Sequence, residues 1–155
     1  DSAIQWLSEF SNLIITRTFS KAYGLAGLRV GYSLCSPLIA DFINRVREPF
    51  NVNFTAQVAA IAALKDDDYL SESIKVNSDG YEQLVECFKS LHLNFIPSHA
   101  NFIAVEFDDA MDIYNALLKE GVIVRPVEMS GYLRISIGTF EENAHLIAAL
   151  NKILC

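Results

Sequence analysis

Residues 16–32 read TRTFSKAYGLAGLRVGY and form the most informative stretch of the chain. The apolar run at residues 13–15 is short enough for a buried strand, and residues 30–34 predict a second strand. Gly24 and Gly27 lie between these strands and make the segment too broken for a helix. The sequence therefore predicts a strand–loop–strand unit whose loop carries hydroxyls, a lysine and an arginine.

The loop combines the polar groups that suit a phosphate dianion. Thr18 and Ser20 supply hydroxyls, and Arg29 supplies a guanidinium at the start of the second strand. Lys21 lies among them, where its amine could condense with an aldehyde on the same ligand. A glycine-rich turn with one surface lysine and one surface arginine is the structural alternative, but about a dozen specified positions agree with the functional interpretation.

The same run resembles the lysine signature of class II aminotransferases of fold type I, in the variant SKAYGLAGLRxGY. The resemblance implies that Lys21 is the catalytic residue and binds pyridoxal 5′-phosphate (PLP) covalently. It also implies that Ser20, Arg29 and Thr18 hold the cofactor's phosphate. The fold class that it implies is α/β: the end of the large α/β domain of a fold-type-I PLP-dependent transferase, followed by the C-terminal α+β small domain.

The predicted elements divide the chain in two. The alanine-rich residues 53–65 predict a buried helix, and residues 69–91 predict a long linking helix with one apolar stripe. With the resemblance, we expect residues 1–65 to be the C-terminal part of the PLP-binding large domain and residues 66–155 to be the C-terminal small domain. The remaining predictions are strands near Phe95 and at residues 101–107, 122–125 and 132–137. Helices are predicted from Ser36, as N-cap, to about Arg47, at residues 110–120 with Gly121 as the cap, and at residues 141–154.

Two later arginines are candidate substrate ligands. Alternation along residues 132–137 places Leu133 and Ile135 on one face of a strand and Arg134 on the other. A lone arginine in a strand normally faces solvent, whereas the resemblance makes Arg134 the anchor of the substrate's anionic group, usually an α-carboxylate. Arg125, at a predicted strand end, would then help to bind a substrate phosphate.

The stretch REPFNVN at residues 47–53 resembles the histidinol-phosphate branch of the family. That branch implies transfer of the amino group of L-histidinol phosphate to 2-oxoglutarate, giving glutamate, in histidine biosynthesis. Its members act on small molecules, and we expect a cytoplasmic homodimer as the full-length protein. Further active-site groups, including the aspartate that pairs with the pyridinium nitrogen of PLP, precede Asp1 in relatives, so we expect this chain alone to be inactive.

Other functions remain open at this point. Another fold-type-I PLP enzyme, such as an aromatic aminotransferase or a threonine-phosphate decarboxylase, would keep Lys21, Arg29 and Arg134. A non-catalytic fragment would form no covalent bond with PLP. A phosphate-binding module without PLP chemistry would need Ser20, Gly24 and Arg29 but not a lysine between them.

Charge and composition argue against several other classes. The net charge is −7, with 12 basic residues against 19 acidic ones, so a nucleic-acid partner is not expected. The longest apolar stretch, residues 58–64, is too short to cross a membrane. Cys35, Cys87 and Cys155 lack metal-ligand spacing, so no metal site is expected. The chain opens DSAI, without an initiator methionine or a signal-peptide pattern, which favours a segment of a longer protein.

Overall fold

A computed structural model describes residues 3–154 of the chain. These residues form two compact units, which divide between Ser71 and Glu72 within one long helix. A 3-10 helix, Ala3–Ser8, comes first. The other elements are, in chain order, β1 (Ile14–Thr18), β2 (Gly31–Cys35), α1 (Pro37–Val46), α2 (Phe54–Ala63), α3 (Asp67–Ser90), β3 (Phe95–Ile96), β4 (Phe102–Glu106), α4 (Ala110–Lys119), β5 (Arg125–Pro126), β6 (Tyr132–Ser136) and α5 (Phe140–Leu154).

The N-terminal unit contains the two strands predicted on either side of the glycine-containing loop. β1 and β2 pair in an antiparallel ladder, from Ile14 opposite Cys35 to Thr18 opposite Gly31. The short 3-10 helix Ala26–Leu28 lies in the loop between them. The loop therefore joins the ends of two paired strands, and its polar residues sit at one end of this ladder.

The prediction of a buried helix at residues 53–65 was right about the helix and wrong about its burial. α2 begins after Asn53, whose side-chain oxygen accepts a hydrogen bond from the Ala56 N–H at 2.8 Å. Only Ala56 and Ala60 are buried, whereas Phe54 is 79% exposed and Ile61 is 57% exposed. The two alanines form a narrow stripe, and the small apolar cluster of this unit covers that stripe alone.

Helix ends follow local sequence signals. α1 begins at Pro37 with Ser36 as its N-cap residue, as predicted. The carboxylate of Asp66, directly before α3, accepts from the Tyr69 N–H at 3.0 Å and caps this helix. Gly121 has a positive φ of 77° just after α4, which confirms its predicted role as the residue that ends this helix.

The C-terminal unit is built on an antiparallel sheet of four strands in the order β3-β4-β6-β5. Alternation along β6 is as predicted, since Leu133 and Ile135 are buried and Arg134 lies on the opposite face. The inward residues of β4 and β6 pack with helices α3, α4 and α5. The core residues that are most fully buried are Leu84, Phe88, Ile103, Val105, Leu117, Leu133, Ile135 and Leu150.

The strand predicted at residues 122–125 is displaced to Arg125–Pro126. The Val122 N–H donates to the Leu117 carbonyl at 2.9 Å, and the Gly121 N–H donates to the Leu118 carbonyl at 3.1 Å. This pair of bonds is the Schellman arrangement that closes a helix. Because the Val122 N–H is used in this way, pairing with β6 begins only at Arg125.

Helix α3 passes close to the junction of β6 and α5 at a glycine. A Cβ atom at Gly80 would lie 2.7 Å from Cγ2 of Ile137 and 2.9 Å from the Gly138 carbonyl. Asn143 is 2% exposed, and its side-chain oxygen accepts from the Gly138 N–H at 3.0 Å. A glycine is thus needed in mid-helix because this buried, hydrogen-bonded junction leaves no room for a methyl group.

Gly80→Ala should destabilise the protein although alanine is the better helix former. Overpacking at this junction should lower the free energy of unfolding by about 1–3 kcal/mol, as measured by urea denaturation. Ser78→Ala, at an exposed position of the same helix, is the matched control and should be neutral or slightly stabilising. Equal stability of the two alanine variants would contradict the packing argument.

The two units should also differ in local stability. The N-terminal unit has a buried cluster of four residues, whereas the C-terminal cluster has 12. In the 155-residue chain, amides of β4 and β6 should therefore exchange with solvent more slowly than those of β1 and β2. Hydrogen exchange followed by NMR measures this, and equal protection in both ladders would refute it.

Candidate functional site

The hairpin continues beyond its ladder at Phe19 and Val30. The Phe19 N–H donates to the Val30 carbonyl at 3.2 Å, next to the last ladder pair. Ser20 follows Phe19, and Arg29 precedes Val30, so both lie on the loop side of this bonded pair. The structure thus brings together the backbones of two residues that were predicted to hold a phosphate.

Lys21 begins a tight turn inside the same loop. The Gly24 N–H donates to the Lys21 carbonyl at 2.8 Å, and the Leu25 N–H donates to the Phe19 carbonyl at 2.9 Å. Gly24 has a positive φ of 69°, and a Cβ atom there would lie 2.6 Å from the Tyr69 hydroxyl oxygen. These two hydrogen bonds fix the backbone of the turn, and the exposed side chain of Lys21 extends from it.

Buried apolar residues at the base of the loop hold it against helix α2. Phe19 is 4% exposed, and it is buried together with Val30 against Ala56 and Ala60 of α2. The ring of Tyr23 packs on Phe19 with 4.9 Å between their centroids. The sequence pattern drew attention to the polar residues, and these apolar anchors were missed. Phe19 directly before Ser20 and Val30 directly after Arg29 were the signal for them.

Thr18 and Arg29 are held by local hydrogen bonds. Thr18 Oγ1 accepts from the Ser20 N–H at 3.0 Å, so its oxygen orients the Ser20 backbone. Arg29 Nη1 donates to the Ala26 carbonyl at 2.8 Å. Arg29 also has a positive φ of 52°, which is unfavourable for a residue with a side chain. Glycine would adopt this φ without strain, so the strained backbone marks Arg29 as a candidate functional residue.

The charge of this loop is not neutralised within residues 3–154. Neither Lys21 nor Arg29 forms an ion pair with a carboxylate in that part of the chain. An amine, a guanidinium and a hydroxyl on one closed loop are the groups that bind a phosphate-bearing aldehyde. The donor set of the loop therefore fits PLP.

The stretch at residues 47–53 forms the connection between α1 and α2. Arg47 donates from Nη1 to the Asn51 side-chain oxygen at 2.9 Å and from Nε to that of Asn44 at 2.8 Å. Its guanidinium therefore stabilises the connection. Phe50, with a positive φ of 56°, is 97% exposed.

The C-terminal unit places its two candidate arginines directly opposite each other. Arg125 of β5 and Arg134 of β6 are partners in the antiparallel ladder. The guanidinium carbon of Arg134 lies 4.0 Å from the centroid of the Phe102 ring. No carboxylate of the described chain forms an ion pair with either arginine. Because like charges opposite each other repel, this pair suits an anionic ligand.

Other kinds of site are not found among residues 3–154. No group of three or more His, Cys, Asp or Glu residues in this range could hold a metal ion. No helix in the same range is long and apolar enough to cross a membrane. Cys35 and Cys87 are unpaired, and burial raises the pKa of the Cys87 thiol. Cys155 lies outside the described residues.

Comparison with known proteins identifies the family. Residues 1–150 match the sequence model described as aminotransferase class I and II. The chain belongs to the class I and II aminotransferases. A histidinol-phosphate aminotransferase of Methylobacillus flagellatus is 53% identical over 155 residues, which cover 98% of this chain and 42% of that relative. This aminotransferase chain thus spans less than half the length of that curated relative.

Solved structures confirm the predicted fold-type-I class for this aminotransferase chain. A histidinol-phosphate aminotransferase from Sinorhizobium meliloti in complex with pyridoxal-5′-phosphate matches with a TM-score of 0.82 and 34% identity, over 93% of this chain and 41% of that one. The enzyme of the same name from Clostridium acetobutylicum matches with a TM-score of 0.90 and 26% identity, over 98% of this chain and 48% of that one.

Proposed function

We propose that the whole protein is a PLP-dependent aminotransferase that moves the amino group of L-histidinol phosphate to 2-oxoglutarate in histidine biosynthesis. The observation that carries the substrate assignment is the cross-strand pair of Arg125 and Arg134, neither of which is ion-paired to a carboxylate among residues 3–154. A phosphate monoester carries two negative charges, and two guanidiniums can bind both of them. The histidinol-phosphate aminotransferases found as relatives support the same substrate.

The proposal assigns the two units to different parts of this enzyme. The N-terminal unit, with Lys21, would complete the large PLP-binding domain, and the C-terminal unit would be the small domain. The working form would be a cytoplasmic homodimer, as the sequence resemblance implies. The chain spans only 42% of the relative from Methylobacillus, and we propose that it is inactive without the remainder.

The hairpin loop would hold the cofactor through its phosphate and its aldehyde. Arg29 would contribute charge, and Ser20 would contribute its hydroxyl. Thr18 would support them by orienting the Ser20 backbone, to which its oxygen is already bonded. Bound PLP supplies an aldehyde that condenses with amines and a conjugated ring that withdraws electrons from the substrate's α-carbon.

Lys21 would act twice. Its Nζ atom would bind the cofactor covalently, and after displacement by the substrate's amine it would serve as the base that takes the proton from the α-carbon. The fixed turn between Lys21 and Gly24 supports this role, because a base must return to the same position in every cycle.

The two arginines would bind the anionic groups of the two substrates in different ways. Arg134 would bind the α-carboxylate of glutamate or 2-oxoglutarate through two parallel hydrogen bonds. Arg125 would join it when the bound group is the phosphate of L-histidinol phosphate. One strand pair could in this way accept both partners of the reaction.

The role of Lys21 can be tested in the full-length protein. Borohydride reduction should fix PLP on Lys21, as peptide mapping would detect. Lys21→Ala should lower transamination by at least about 10³-fold, within the range attributed to a general base, while weak cofactor binding persists through the phosphate.

Lys65→Ala is the matched control, because Lys65 is an exposed lysine of the same unit outside the loop. It should leave both labelling and activity unchanged. Labelling of any lysine other than Lys21 would remove the central claim.

The role of Arg125 separates histidinol phosphate from other amino donors. Arg125→Ala should weaken binding of L-histidinol phosphate by about 1.5–3 kcal/mol, the usual loss for a charge-assisted hydrogen bond. Glutamate, held mainly by Arg134, should lose much less. Each half-reaction can be measured separately by following the absorbance of the cofactor.

Arg134→Ala should harm both half-reactions, and Lys119→Ala, at an exposed cation of the same unit, should harm neither. If Arg125→Ala affects glutamate and histidinol phosphate equally, Arg125 is not a ligand of the substrate phosphate. The assignment would then fall back to an aminotransferase of unspecified substrate.

A further inference from the structure

Two side chains of the neighbouring strand β4 lie within reach of Arg134. Arg134 lies opposite Ala104 of β4, whose short side chain leaves space above it. Phe102 and Glu106 occupy the same face of β4, two residues to either side of Ala104. Long side chains can reach such diagonal neighbours, so Arg134 could contact either the ring or the carboxylate.

In the structure, Arg134 contacts the ring of Phe102 and not the carboxylate of Glu106. The guanidinium carbon of Arg134 lies 4.0 Å from the centroid of Phe102. Glu106 is engaged elsewhere, since its Oε2 atom accepts from Nδ2 of Asn94 at 3.1 Å. An ion pair with Glu106 would have neutralised Arg134 and occupied its donors. The contact with Phe102 leaves the charge of Arg134 in place and its N–H donors unoccupied.

A distance of 4.0 Å between the guanidinium carbon and the ring centroid is short enough for the two groups to stack face to face. A guanidinium directs its five N–H groups outward in its own plane, and its flat faces carry no donors. A ring against one face therefore restricts rotation of the group and leaves the edge available. The negative face of the ring also offsets part of the repulsion from Arg125, which lies directly opposite.

We propose that Phe102 is a positioning residue, which holds the guanidinium of Arg134 by its face so that its edge meets a planar α-carboxylate. The inference rests on the proposed function, because it specifies how Arg134 performs the role given to it there. It also predicts a difference between substrates. A carboxylate depends on Arg134 alone, whereas a phosphate has Arg125 as well, so loss of the ring should affect glutamate more than histidinol phosphate.

The test compares three variants of the full-length protein. Phe102→Leu should raise KM for glutamate by about three- to tenfold, the range expected for loss of a cation–π contact, and leave kcat nearly unchanged. The rise for histidinol phosphate should be smaller. Phe102→Tyr keeps the ring and should restore KM. Phe95→Leu removes a ring of the same sheet that packs against Phe88 in a tilted arrangement, and it should lower Tm without changing KM.

A spectroscopic measurement reports on the contact without activity. The NMR resonance of the Arg134 Nε–H, assigned through Arg134→Lys, should be shifted upfield by the ring in the wild-type protein. Phe102→Leu should abolish that shift, and Phe102→Tyr should keep it. Titration with 2-oxoglutarate should move the same resonance, with a Kd that Phe102→Leu raises by a similar factor.

The outcomes separate this inference from the proposed function. An unshifted resonance, or a shift that is lost without any change in KM and Kd, would overturn the role of Phe102 while leaving the aminotransferase assignment intact. A wild-type protein without transaminase activity would refute the proposed function. In that case the 2-oxoglutarate titration still decides the role of Phe102, because equal Kd values for wild type and Phe102→Leu overturn it.

Discussion

The contact between Phe19 and Val30 is the constraint on which the loop chemistry depends. Their backbones are joined by a hydrogen bond, and their side chains are buried against Ala56 and Ala60. The Phe19 carbonyl also accepts from the Leu25 N–H, so both backbone polar groups of Phe19 form hydrogen bonds that hold the loop together. The loop is thereby fixed by apolar burial, and the charges of Lys21 and Arg29 are not neutralised by any carboxylate of residues 3–154.

No ion pair within residues 3–154 neutralises the loop cations Lys21 and Arg29 or the strand pair Arg125 and Arg134, although the chain is acidic overall. The ion pairs of residues 3–154 join Arg45 to Asp41, Lys75 to Asp79 and Lys152 to Glu120, and none of them includes a candidate site residue. With 19 acidic residues available against 12 basic ones, carboxylate partners were not scarce. Cations kept without partners are poised for an external anion, and this is the physical basis of the functional proposal.

In the C-terminal unit, the same strands build the core and the candidate binding face. Leu133 and Ile135 of β6 are buried, while Arg134 between them faces the other way. A slip of one residue in the pairing would exchange the two faces, so burial of the core also fixes the arginine. Arg125 depends on this register as well, since β5 pairs through only two residues.

The sequence by itself determined the features that arise from local signals. These include the strand–loop–strand around Lys21, the alternation that places Arg134 on the face opposite the core and the end of a helix at Gly121. Each follows from the period of a strand or the conformational freedom of one residue. Tertiary structure decided the rest. The limited burial of α2, the pairing of Arg125 with Arg134 and the contact of Arg134 with Phe102 instead of Glu106 depend on contacts between different helices and strands. Such contacts are set by register and packing, which a local pattern does not encode.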